Sequence, residues 1–203
     1  MARSIYILIC VLGLFACNNR PEQPVTQAIE GDTATVQTTE PVYYDYTGTV
    51  LDKDFADSTK AQFSNDTLED VFTFYMPAGD IGRTTSVLRI LNPQGRIIYE
   101  HSFATKDLIN GYALEGIKTA DEMKAYMYST AHDILSSGLV NADTLKPDDF
   151  LMQPDIDFVN KPAFDVLKGT PRVYLHYCLN EEWHHYMVYD EVTGKVVSIA
   201  DCC

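Results

Sequence analysis

The sequence predicts an α+β fold built on antiparallel sheet, and three observations carry that expectation. About seven runs rich in β-branched and aromatic residues are separated by Pro, Gly and Asn turn signals. Only one long segment shifts to helical spacing. The strands do not alternate with helices, so the crossovers that parallel sheet requires are not expected. A composition of 46% hydrophobic and 22% charged residues over 203 positions suits one globular domain.

Taken in order, residues 43–51 (YYDYTGTVL) and 68–76 (LEDVFTFYM) read as strands. Residues 84–91 and 96–103 flank Asn92-Pro93-Gln94-Gly95, a four-residue turn that predicts a hairpin. Thr119-Ala120-Asp121-Glu122 then fits a capping box. Behind it, Met123, Tyr126, Met127, Thr130, Ala131, Ile134 and Leu135 make one apolar helix face. Gly138 stands where the helix should stop. Residues 139–170 form a Pro-interrupted excursion with one short helix expected near 162–168, where a proline opens and a glycine closes the pattern. A C-terminal β-meander follows over residues 172–179, 183–189 and 195–200, turning at Asn180-Glu181 and at Gly194.

The N-terminal residues read differently. Arg3 gives a basic start, and residues 5–16 (IYILICVLGLFA) are apolar throughout. Such a run spans about 18 Å as a helix, against about 30 Å of hydrocarbon, so it has the length of a signal-peptide core. It ends in Leu14-Phe15-Ala16-Cys17. That tetrapeptide resembles a bacterial lipobox, although Phe15 departs from the small or aliphatic residue usual at its position. The resemblance covers about the first seventeen residues and implies removal of residues 1–16 and lipidation of the Cys17 thiol. The covalent lipid would be the only attached group, with no other cofactor expected. Asn18 in place of Asp favours the outer membrane, with the body either periplasmic or surface-exposed.

Residues 18–40 lack aromatic side chains and carry many Thr, Gln and Glu, so with Cys17 they read as a lipidated, flexible tether. Residues 41–203 read as a single domain. The expected role is that of a lipid-anchored binding or envelope-assembly module, with the membrane as one partner and a protein, glycan or peptide as the other. The formal charge of −14 argues against nucleic acid.

Two other readings start from the meander and the excursion. His176 and Cys178 share a strand face, and either His184 or His185 joins them, depending on whether the intervening turn has three or two residues. With Cys202 and Cys203 these residues would make a soft-metal site for a metal-handling protein. The bland reading places the histidines along a sheet surface and Cys178 in a core. A flat meander sets the terminal cysteines two strands from Cys178, about 9.6 Å, which is too far for a disulfide. A hydrolase assembled from distant residues around 139–170 is the second alternative, since no local catalytic motif is present. Tyr174, Tyr177, Tyr186 and Tyr189 offer a candidate binding surface if the strand faces are open. His101 and His132 are expected to be exposed and without a role. Asp52, Asp54 and Asp57 fail the calcium-loop pattern, with Ala61 and Phe63 where Gly and Glu belong. Asp148, Asp149, Asp155 and Asp157 could hold Ca²⁺ in an irregular loop.

Overall fold

A computed structural model describes residues 44–180 and 183–202. Asp45 opens it: its carboxylate accepts hydrogen bonds from the Thr47 amide at 3.0 Å and the Thr47 hydroxyl at 2.6 Å. This local competition winds Tyr46–Gly48 into a 3₁₀ turn where sequence pattern alone suggests strand. Only β1 (Val50–Leu51) survives of that expected strand, pairing with β4 (Gly79–Asp80).

The first large sheet contains β2 (Phe55–Ala61), β3 (Asp70–Met76), β5 (Thr85–Leu91) and β6 (Ile97–Ala104), in the order β2-β3-β5-β6. All its pairings are antiparallel. The β5–β6 turn forms as expected. Gly95 takes φ +76°, and the Asn92 side chain accepts from the amides of Gln94 and Arg96. Strand β2 was not anticipated. Its sequence, FADSTKA, is polar because it is an edge strand, half-exposed along its length, and charges on an edge discourage unwanted pairing.

The helix α1 (Ala120–Ser136) carries the expected capping box: the Thr119 hydroxyl accepts from the Glu122 amide, and the Glu122 carboxylate accepts from the Thr119 amide. It packs across β2 and β3 and buries Met123, Met127, Ala131, Ile134 and Leu135. Gly138 is needed after it for space. A Cβ there would stand 2.6 Å from the His176 carbonyl oxygen.

The excursion contains β7 (Leu139–Asn141), two 3₁₀ turns and α2 (Lys161–Leu167), with Pro162 in its first turn. The meander follows as β8 (Val173–Leu179), β9 (Trp183–Asp190) and β10 (Lys195–Cys202), and the second sheet runs β10-β9-β8-β7. One face of this sheet joins α1 and the first sheet in the main core, through Val173, Leu175, Tyr177, Leu179 and Met187. The other face packs on α2 and its neighbours, where Tyr174, Tyr186, Val188 and Ile199 meet Leu151, Phe164 and Leu167. The architecture is therefore α+β with antiparallel sheets, and β8 is buried on both sides. No helix among the described residues is long and apolar enough to cross a membrane.

The β2–β3 loop is closed by Asp70, which is fully buried. Its carboxylate accepts from the amides of Phe63 (3.1 Å) and Ser64 (2.7 Å) and from the Ser64 hydroxyl (2.7 Å). Asp70→Ala leaves buried donors without an acceptor and should lower stability by about 3 kcal/mol in urea unfolding. Asp57→Ala removes an exposed contact to His132 and an exposed hydrogen bond from the Ser58 amide, and should change stability by less than about 1 kcal/mol.

Candidate functional site

The β8–β9 connection decides which histidines meet. Leu179 pairs with Trp183 and Cys178 with His184, so the three-residue turn is the one adopted, with Asn180 in a left-handed conformation at φ +59°. His176, Cys178 and His184 accordingly share the face that looks toward α2. The His176 Nε2 lies 3.1 Å from His184 Nδ1, and the Cys178 Sγ lies 3.8 Å from His184 Nε2. The two imidazoles stack nearly parallel, and His176 also stacks on Tyr186 with ring centres 4.4 Å apart. Burial first, then the neighbouring His184 and His185, push the His176 pKa down to about 4. It is a neutral ring at physiological pH.

His185 takes the opposite face. It stacks on Tyr177 at 4.7 Å and meets His101 edge-on at 5.6 Å. His101 is therefore not the idle surface residue expected from the sequence. Its Nδ1 is 2.7 Å from the Tyr177 hydroxyl, which is also 2.7 Å from the Tyr99 hydroxyl. Burial lowers the His101 pKa and raises those of Tyr99 and Tyr177. These rings join β6 of one sheet to β8 and β9 of the other. His132 is exposed, as expected, but lies 3.3 Å from the Asp57 carboxylate.

The tyrosine surface is closed. Tyr174, Tyr177 and Tyr186 are buried, because helices cover one face of the meander and the first sheet covers the other; Tyr189 is half-buried. Tyr174 has its pKa pushed up to about 12 by that burial and by Asp149.

The Cys–His–His row gives a thiol, an imidazole and a second imidazole in hydrogen-bonding sequence. As placed, it does not chelate: His184 turns one nitrogen to His176 and the other to Cys178, so the three donors do not converge on a point. Among the described residues no group of three or more His, Cys, Asp or Glu is arranged to hold a metal ion, the acidic residues of the excursion included. Cys202 sits at the register position opposite His184, two strands from Cys178, as the flat meander predicts. Cys17 and Cys203 lie outside the described residues.

Three depressions accompany these residues. One of about 210 Å³ lies beside the end of α1 and is lined in part by His176 and Cys178. A second, of about 420 Å³, lies within the excursion; its lining includes Lys161 and Asp165, which pair with each other, and holds no histidine.

Another, of about 490 Å³, was not anticipated. Its walls include Tyr46, Lys106, Asp107, Ile109, Asn180 and Trp183. One wall is the stretch between β6 and α1, which folds as two 3₁₀ helices, Thr105–Leu108 and Gly111–Gly116. Short 3₁₀ pieces leave no apolar period to read, and the Asn180 amide ties the β8–β9 turn to this wall by donating to the Asp107 carbonyl at 2.6 Å. The legible signal was the chain's one tryptophan beside a turn. Comparison with protein-family models, curated proteins and solved structures found no match.

The depressed histidines predict an acid-sensitive fold. Between pH 6.5 and about 4 the unfolded chain takes up a proton that native His176 refuses, so stability falls as pH drops through that window. His101 contributes in the same direction. Urea midpoints measured from pH 7 to 4.5 should fall more steeply for the wild type than for His176→Gln. Equal slopes would contradict the buried neutral ring.

Proposed function

We propose that this chain is a lipid-anchored protein of the cell envelope, held in the outer membrane through Cys17, whose folded body binds a ligand instead of catalysing a reaction. The observation that carries the anchor is the order of residues 1–17: a basic start, an apolar run too short to span, a small residue and a cysteine. Those residues lie outside the described part of the structure, as does the whole tether behind them. Several acyl chains on one residue would hold the protein firmly, where one chain gives only reversible binding.

The body's contribution is the 490 Å³ cleft, within the 300–1,000 Å³ typical of ligand sites. It supports binding because a large exposed aromatic side chain stands among polar groups at its edge, an arrangement that ligand contact would complete. A protein, a glycan or a peptide is the ligand class that this reading admits. A membrane anchor and a free-standing cleft together describe a capture or docking module.

Mass spectrometry of the membrane fraction tests the anchor. The N-terminal peptide should begin at Cys17 and carry diacylglyceryl and fatty acyl mass. Cys17→Ser should keep residues 1–16 and lose the lipid. Finding Cys17 unmodified in the wild-type protein would overturn the proposal.

A further inference from the structure

We infer that the cleft beneath Trp183 is a saccharide site, in which the indole takes the apolar face of a neutral pyranose ring and Asp107, Asn180 and Lys106 take its hydroxyls. This inference rests on the binding reading given above and names the ligand class of the same cleft.

Trp183 is the sole tryptophan of the chain and the first residue of β9. Its register partner, Leu179, is buried, yet Trp183 itself is 64% exposed. No other described aromatic ring stacks on it. Leaving an indole in water forgoes burial stabilisation of about 25 cal/mol per Å², so the folded body alone does not account for the residue at that place. A planar apolar platform with an open face suits a flat ligand.

The polar groups are of the matching kind. Neither the Lys106 ammonium, the Asp107 carboxylate nor the Asn180 amide makes a side-chain hydrogen bond or ion pair among the described residues. A carboxylate and a primary amide each bind two neighbouring hydroxyls at once, and an ammonium donates to hydroxyl or ring oxygen. A pyranose offers what these need: an edge of vicinal hydroxyls around a C–H face. Ile109 continues the apolar contact along the wall.

Other ligand classes fit less well. A peptide adding itself as a strand requires unpaired main-chain groups, and here these are engaged. The Ile109 amide donates to the Lys106 carbonyl, the Asn180 amide to the Asp107 carbonyl, and the Ile117 amide to the Leu114 carbonyl. Asn110 caps the Tyr112 amide. Side chains are what remain for recognition. A polyanion meets a chain of net charge −14 and a carboxylate in the wall, which favours an uncharged sugar.

Because the chain has one tryptophan, its fluorescence reports the cleft alone. The full chain, in a detergent without a sugar headgroup, is titrated with neutral oligosaccharides: glucans of both linkages, a xylan fragment and a chitin fragment. The expected result is a saturable blue shift and reduced acrylamide quenching with at least one of them. Asp107→Ala and Asn180→Gly should each weaken that binding about tenfold or more. The glycine relieves the positive φ while removing the amide. Thermal midpoints of both variants within a few degrees of the wild type keep the comparison fair; if Asp107→Ala does not fold, Lys106→Met serves, since it removes the ammonium donor and keeps the apolar stem, with the same weakening expected.

No spectral change with any of these sugars up to about 10 mM overturns the saccharide assignment. So does a response that both variants leave intact. A shift with random octapeptides and none with sugars also overturns it, while leaving the cleft as a binding site. A sugar response from a protein lacking lipid at Cys17 would support this inference and remove only the anchor.

Discussion

The fold depends on burying β8 on both faces. Along Val173–Leu179 the side chains alternate between two cores: odd positions meet α1 and the first sheet, and Tyr174 meets α2. A strand in that position cannot slip by one residue without exchanging its whole complement between the two cores. The seam is then set by polar contacts. The Tyr177 hydroxyl, deep in the main core, meets Tyr99 and His101 of the other sheet at 2.7 Å each. Buried polar groups of this kind are costly unless paired, so they favour the one docking of the two sheets that pairs them.

Arg172, just before β8, extends the same constraint. It is 2% exposed and forms ion pairs with Asp66 in the β2–β3 loop and Glu191 in the β9–β10 turn, at 3.0 and 2.7 Å. Its partners are half in solvent, so the guanidinium is held between one loop of the first sheet and one turn of the second. Removing either carboxylate leaves a buried charge less compensated, and such losses are large compared with those of surface pairs.

Local chemistry was legible in the sequence, and long-range pairing was not. Asn92-Pro93-Gln94-Gly95, the Thr119–Glu122 box and Gly194 specify their structures through hydrogen bonds spanning a few residues, and each forms as read. Strand β2 escaped notice because an edge strand needs little apolar sequence; its neighbours supply the pairing. Residues 43–51 misled because β-rich composition lost to the Asp45–Thr47 hydrogen bonds. In the meander, the spacing of His176, Cys178, His184 and His185 allowed two registers, and only the turn's length selected one. His101 joined Tyr177 and His185 through sheet docking, which no one-dimensional pattern encodes. The cleft was illegible for the same reason: Tyr46, Lys106 and Trp183 come from three separate segments. The tyrosines looked available because a sheet covered on both sides resembles one that is open on one side, when read along a single strand.

Native-state hydrogen exchange tests the central claim most directly. If β8 is the shared wall of two cores, its amides and those of β9 should exchange last, at the rate of global unfolding, while the amides of edge strand β2 exchange by smaller local openings. Amides of β8 exchanging as fast as those of β2, or the two sheets losing protection in separate steps, would contradict the account.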